Sequence, residues 1–464
     1  PFAENIRLSY TAEETIDFSS TGSNTTFKFY HEEPFGHYEV FPKSPHLGPL
    51  HLMPSFCHGG ELYIGLEKAT SLQQISLLFQ FLEGSENPNE TNIFKGKQKI
   101  TWAILSNNAW VDLEADEIIL NQTPTFLKTG LFKFVLPKAA STNNTRLPSG
   151  LHWLRAKMKK PYDVVCQLID IHAQALESVF ENNANTGDHL EKGLEAGTIS
   201  KLQQRVSSVK SIKQPYPSFG GKNKEDDNAY YRRVSERLRH KQRAITLWDY
   251  EHLILQHFPK VYKVKCLNHT SENAFQSPGN VTIILVPDTV HQTVFDIYQP
   301  RVSQATLNEV STFVNRLNSF HVQAAVINPN YEEVKVVLKA KFKKGYDENF
   351  YKIQMQEDIK KFLSPWAYDQ STSVTFGISL HKSQLIHYLE QLNYVDYLED
   401  VQFKKKSLDS ADPCNPEYEE VKNKEVISPA NPKSILVSAK NHKIDLLEKN
   451  CSNSPNEPEE ACQH

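Results

Sequence analysis

The hydrophobic period of the chain differs along its length, strand-like at first, then helical, then alternating between the two, and 464 residues suit roughly two to four domains. Through about residue 150, apolar residues recur at every second position, as in Thr26 to Tyr30 and Glu61 to Gly65, the spacing of half-buried strands. A longer apolar run covers Gln74 to Leu82, and further strands are predicted at Ile100 to Leu105 and Gly130 to Leu136. Gly84-Ser85, Asn87-Pro88, Ser106-Asn107-Asn108 and Pro148-Ser149-Gly150 supply the turns. Residues 1–155 are therefore expected to form a β-rich, sandwich-like domain.

Helical spacing takes over after it. Asp163 to Asn182 sets Val164, Leu168, Ile171, Ala175, Leu176 and Val179 on one face and predicts an amphipathic helix. Asn183 to Lys224, rich in Gly, Ser and Lys, reads as an extended crossing segment, so 156–245 forms a helical and extended connector. The next helix begins at Lys224 to Asp227. Its acidic start suits the positive end of the helix dipole, and Arg232, Arg233, Arg237, Arg239, Lys241 and Arg243 suit the negative end. Thr246-Leu247-Trp248-Asp249 has the form of a capping box opening a helix over Leu247 to His257.

Strands and helices then alternate. Strands are expected at Val261 to Leu267, Val281 to Pro287 and His321 to Ile327, with a helix at Ser303 to Leu317. A second round has strands at Glu333 to Phe342, Val374 to Phe376 and Val395 to Phe403, with helices at Asn349 to Leu363 and His381 to Leu392. The fold class is thus α+β and multidomain, with tandem ferredoxin-like α/β modules at 246–330 and 331–406. From Ser407 the chain carries six prolines and 11 acidic against 6 basic residues, which predicts an extended or disordered tail over 407–464. One apolar island in it, Ser434 to Ala439, is a candidate docking strand through Ile435, Leu436 and Val437.

Few chemistries fit this sequence. The most apolar stretch, Ile75 to Leu82, is far too short to span a bilayer, so no direct membrane insertion is expected. The six cysteines form no C-x-x-C pair and read as reduced apolar residues, not as a disulfide framework or a metal site. Nucleophile-elbow, P-loop, dinucleotide and H-E-x-x-H motifs are missing, and His252 and His257 are spaced wrongly for ligands on one helix face. Glu114 and Asp116 read as a solvated strand end. We therefore expect no catalytic residues, no cofactor and no metal. The formal charge of −4 gives no whole-chain pull toward nucleic acid, and Arg232 to Arg243 lacks the interleaved aromatics that would stack on bases. A protein interface through Arg232, Arg233, Arg237, Arg239 and Arg243 is the better reading.

The stretch Gly220 to Leu267 adds a resemblance. Its Gly-Gly turn, its acidic helix start, Tyr231-Arg232-Arg233-Val234-Ser235-Glu236-Arg237-Leu238-Arg239-His240, Arg243-Ala244-Ile245-Thr246, Trp248-Asp249-Tyr250-Glu251 and Phe258-Pro259 carry it in order. Together they resemble the baseplate J-like family, the wedge proteins of contractile phage tails, tail-like injection particles and type VI secretion-like systems. Leu77-Leu78-Phe79-Gln80 with Glu83-Gly84-Ser85, Leu105 to Trp110, Leu147 to Ala156 and Pro429 to His442 extend the likeness over nearly the whole chain.

The resemblance implies a non-enzymatic wedge subunit. Its partners would be other wedge subunits, a sheath-proximal adaptor and hub or spike proteins, closed into a six-fold ring that transmits the contraction trigger. It also implies a segment before Pro1 that joins wedge subunits in a helical bundle, and assembly in the bacterial cytoplasm into a released or membrane-anchored particle. Trp248 and Tyr250 would anchor helix to sheet or meet a partner beside the arginines. Gly187 to Gly221 and Thr270 to Gly279 are the expected pivots. The competing reading is a tail-associated cell-wall hydrolase or carbohydrate-binding protein, because the first domain exposes Tyr and Trp.

Overall fold

The computed structural model describes residues 7–13, 28–33, 36–40, 59–87, 100–158, 164–184, 187, 189–190, 192–271, 274–289, 295–368, 374–406, 418–420 and 425–447. It divides into two compact units, Pro1–Val179 and Phe180–His464.

The first unit is all β among its described residues. β1 (Phe29–Glu33) and β2 (Gly36–Val40) form a hairpin. The others are β3 (Glu61–Leu66), β4 (Gln74–Leu82), β5 (Thr101–Ser106), β6 (Ala109–Asp112), β7 (Ile118–Asn121), β8 (Gly130–Val135), β9 (His152–Lys157) and β10 (Gln167–Ala173). They make two antiparallel sheets, ordered β10-β4-β8-β7 and β3-β9-β5-β6. Period-two burial places Ile75, Leu77, Phe79 and Phe81 of β4 inside. Trp102 of β5 stacks on Phe132 of β8 at 4.0 Å between ring centroids and lies 5.6 Å from Phe79, so side chains of both sheets meet in one aromatic core, as in a sandwich.

The helix expected over Asp163 to Asn182 is not formed; β10 occupies that stretch and pairs antiparallel with β4. The reason is main-chain demand. Without β10 the edge of β4 would keep unpaired N–H and C=O groups, whereas Ala175 N–H now donates to Ser76 O and the Ser76 hydroxyl to Ala175 O. The apolar residues that a helix face would have gathered stay outside: Leu176 is 75% and Val179 88% exposed.

The second unit starts with a long loop region and then follows the predicted alternation, except that the strand expected at Val374 to Phe376 is not formed. Its elements are α1 (Asp227–His240), α2 (Leu247–His257), β11 (Val261–Asn268), β12 (Asn280–Pro287), α3 (Gln304–Leu317) and β13 (Gln323–Ile327). Then come β14 (Asn330–Phe342), α4 (Glu348–Leu363), a 3-10 turn (Pro365–Ala367), β15 (Leu380–His381), α5 (Lys382–Glu390) and β16 (Val395–Lys406). The tail adds β17 (Tyr418–Glu420), β18 (Val426–Ile427), β19 (Ser434–Ser438) and β20 (Lys443–Leu446).

The sheet orders depart from the ferredoxin-like expectation. That arrangement separates two parallel strands by a third, but β12 and β13 are direct parallel neighbours in a three-stranded sheet, β11-β12-β13. In the next sheet β14 runs antiparallel to β16, and its other edge is filled by β19 and β20, both parallel to β14. The missing pairing thus comes from the tail.

That tail is not a loose end where it is described. Ile435 and Val437 point into one cluster with Val286 of β12, Trp366 and Val374, whereas Leu436 packs against the core of β14, α4 and α5. The strand therefore cements both α/β sheets into one unit, consistent with strand alternation. Residues 407–417, 421–424 and 448–464, also expected to be extended or disordered, lie outside the described residues.

Between β19 and β20, His442 is buried. Its Nδ1 accepts from Val336 N–H at 3.1 Å, and its Nε2–H faces the Ser438 hydroxyl at 3.0 Å, which donates in turn to Ala439 O. Burial, reinforced by Lys360 and Lys335 and opposed by Glu357, pulls its pKa down to about 3. A histidine whose folded pKa is depressed stabilises the fold fully above its unfolded value, about 6.5, and loses that contribution as pH falls toward the folded value. Urea unfolding at pH 7 and pH 5 should show about 2 kcal/mol more loss for the parent chain than for His442→Gln, whose amide keeps an acceptor for Val336 but takes up no proton.

Candidate assembly surface

α1 begins at Asp226, whose carboxylate accepts from Ala229 N–H at 2.6 Å, and ends at Lys241, held in the left-handed region at φ 50°. Gln242 follows at φ 57°, so two consecutive side-chain-bearing residues adopt a conformation L-residues rarely take. This double turn swings the chain into α2. There the expected capping box is complete: Thr246 Oγ1 accepts from Asp249 N–H, and Asp249 Oδ2 accepts from Thr246 N–H.

Of the fourteen residues of α1, only His240 is buried. The helix is held to α2 by a short stack. The Arg239 guanidinium sits 4.1 Å over the Trp248 ring, Trp248 lies 3.9 Å from the His252 ring, and His252 Nδ1 is 3.3 Å from Glu236 Oε1. Sequence reasoning set Arg239 and Trp248 side by side as interface candidates but missed His252 and Glu236. The signal was present, because Trp248 and His252 stand four apart on one helix face.

The predicted residues therefore divide. Arg233 is committed locally: it forms a forked ion pair with Glu225, with three contacts between 2.9 and 3.1 Å, and this partner holds the Glu225 carboxyl below its usual pKa. Tyr250 is a core residue, 2% exposed, packed with Leu253 and Val264. Trp248 is half-buried under Arg239. Arg232, Arg237 and Arg243 are exposed, together with Tyr231 at 67% and Leu238 at 68%. Ile435, Leu436 and Val437 are interior, as described above, and dock on β14 of their own chain.

No group of three or more metal-ligating side chains occurs among the described residues, and none of the helices there is long and apolar enough to cross a membrane. Cys166 and Cys266 are free and buried, and burial pushes the Cys266 thiol up to about 12. Glu114 and Asp116 lie exposed in the turn between β6 and β7. Among the described residues the carboxyls with displaced pKa values, Glu225, Glu357 and Asp400, are all lowered by a hydrogen-bonded cation, Arg233, Lys360 and Lys339 respectively. A glycosidic general acid requires the opposite shift.

Of the two expected pivots, Thr270 to Gly279 is tied down where described. Thr270 O accepts from the Thr282 hydroxyl, His269 O from Ser277 N–H, and Ser271 O from Lys433 Nζ at 2.8 Å. Gly187 to Gly221 folds back on itself, with Ser218 N–H donating to Leu194 O and Gly197 N–H to Gln214 O.

Known proteins show the family of the chain. A family described as "Baseplate protein PVC11-like" matches residues 8–427. The six-fold symmetrised baseplate of the anti-feeding prophage is similar over 80% of this chain and 77% of that chain, at 16% identity and a TM-score of 0.40, too low to support an argument. No curated protein matches. The match of the family over most of the sequence is decisive, and the chain belongs to the PVC11-like baseplate proteins, components of contractile injection systems.

Proposed function

We propose that the chain is a non-enzymatic wedge subunit of its baseplate, one of the copies that close into a six-fold ring, link the central spike to the sheath and pass on the contraction trigger. The observation that carries this reading is α1: a fourteen-residue helix that buries a single side chain of its own yet presents Arg232 and Arg237 with Tyr231 and Leu238, while Arg243 stands exposed in the turn just after it. A helix this exposed gains little from its own fold, and its Arg and Tyr content is that of protein interfaces. The partners it suits are wedge, adaptor or hub subunits with acidic surfaces. Assembly in the bacterial cytoplasm, in a released or anchored particle, follows from the same reading.

Reversal of two exposed charges tests it. Arg232→Glu with Arg237→Glu should leave the melting temperature within a degree or so, because neither residue is buried, and should weaken co-purification with the neighbouring wedge subunit about tenfold or more at physiological salt. Unchanged co-purification would remove α1 from the interface.

A further inference from the structure

The loop region ahead of α1 carries a second, independent signal. Every residue from 195 to 211 is exposed, among them Ile199 at 43%, Leu202 at 45%, Val206 at 46% and Val209 at 42%. These four apolar residues are spaced three, four and three apart, which is the seam of a coiled-coil helix and not a strand pattern. β-Branched Ile199 and Val206 fall at one seam position, and Leu202 and Val209 at the other. Thr198, a good helix-capping residue, stands just before the pattern and Pro215, a helix stop, just after it. The backbone between them nevertheless forms only isolated turns, such as Val209 N–H to Val206 O.

Charge indicates the complement. From Ala196 to Lys224 the chain holds six Lys or Arg residues and no Asp or Glu, although the whole chain is acidic at −4. Lys201, Arg205, Lys210 and Lys213 make no ion pair among the described residues. In the heptad register, Arg205 and Lys210 flank the seam directly, where paired helices place opposite charges.

The base of the loop is built, unlike its tip. Leu194 N–H donates to Ser218 Oγ at 2.7 Å and Ser218 N–H to Leu194 O at 2.9 Å, whereas the bonds from Ile199 N–H to Gln214 Oε1 and from Gly197 N–H to Gln214 O belong to the tip and open if 199–213 extends as a helix. A Cβ on Gly193 would lie 2.6 Å from Ser218 O and one on Gly221 2.4 Å from Leu190 O, so only glycine permits this closure. A pinned base with an unburied, helix-coded tip is a display loop, not a slack linker.

We propose that residues 199–213 are a docking segment that folds into an amphipathic helix of about 20 Å on an acidic amphipathic helix of a partner subunit. Isolated, a helix this short with Ser207 and Ser208 inside it is marginal; burying Ile199, Leu202, Val206 and Val209 against a partner seam supplies what it lacks. An anionic membrane surface suits the segment less well, because no Trp, Phe or Tyr stands among residues 199–213 to anchor in lipid headgroups. The proposal does not depend on α1 and survives if the charge reversal there has no effect.

Hydrogen exchange on the full chain decides it. The probe is a synthetic four-heptad peptide with Leu and Ile in its seam and Glu on both flanks, set against the same peptide with Lys for Glu and against phosphatidylserine vesicles. The acidic peptide should slow exchange of the 199–213 amides about tenfold or more, and the Lys peptide should not. In Arg205→Glu with Lys210→Glu the preference should pass to the Lys peptide, with an unchanged melting temperature because both positions are exposed. Absence of protection by the acidic peptide, equal protection by both peptides, or protection by the vesicles alone would each overturn the proposal.

Discussion

Val437→Asp should lower the stability of the Phe180–His464 unit by about 4 kcal/mol, the largest single-residue effect expected in it. Val437 is fully buried among Val286, Trp366, Val374 and Ile435, in a cluster that draws on β12 of one sheet and β19 of the next. A carboxylate there finds no cationic partner in that cluster and must be buried charged or be protonated, both costly. Because the strand also occupies the edge of β14, its displacement strips main-chain pairing from Asn330 to Val334 and opens the space behind Trp366. Tryptophan fluorescence during urea unfolding should show the loss as a shifted midpoint, while Leu436→Asp, on the opposite face of the same strand, should attack the β14 core. A Val437→Asp chain with parental stability would mean that the tail is not integral to the fold.

Phe132→Ala should cost about 3–5 kcal/mol, confined to the Pro1–Val179 unit. Phe132 is fully buried and stacked on Trp102, so truncation leaves a void lined by rings from both sheets that a rigid sandwich closes poorly. Because the two units are separately compact, calorimetry of the full chain should show one transition moving down by several degrees while the other stays in place. Movement of both transitions together would show that the units unfold as one.

Much of this architecture could be read from sequence because burial is periodic in it. From Thr246 to Phe403 the other expected helices and strands agree with the structure within a few residues, since each apolar face packs against a neighbour close in sequence, but Val374 to Phe376 forms no strand and Val374 enters the cluster around Trp366 from a loop. The capping box at Thr246 and Asp249 was legible for the same reason: its partners are three residues apart. The failures share a physical cause. Asp163 to Asn182 has a helical pattern, but the open edge of β4, nearly ninety residues away, claims its backbone. Ile435 to Val437 was legible as a docking strand, yet its acceptor, β14 of the same chain, lies about a hundred residues upstream and leaves no local trace.

The candidate surface was half legible. Charge alone drew attention to Arg232 to Arg243, but only three-dimensional contacts separate Arg233, spent on Glu225, and Arg239, spent on Trp248, from the exposed Arg232, Arg237 and Arg243. Tyr250 became core because α2 turns it toward β11, a consequence of helix phase that the motif did not reveal.

Co-expression with the flanking baseplate genes, followed by size-exclusion chromatography with mass determination and negative-stain imaging, tests the central claim most directly. The account predicts a defined complex containing this chain and at least one second wedge subunit, with wedge or ring outlines, that weakens with rising salt and with Arg232→Glu and Arg237→Glu. A folded, monodisperse monomer that ignores every co-expressed baseplate subunit would contradict it.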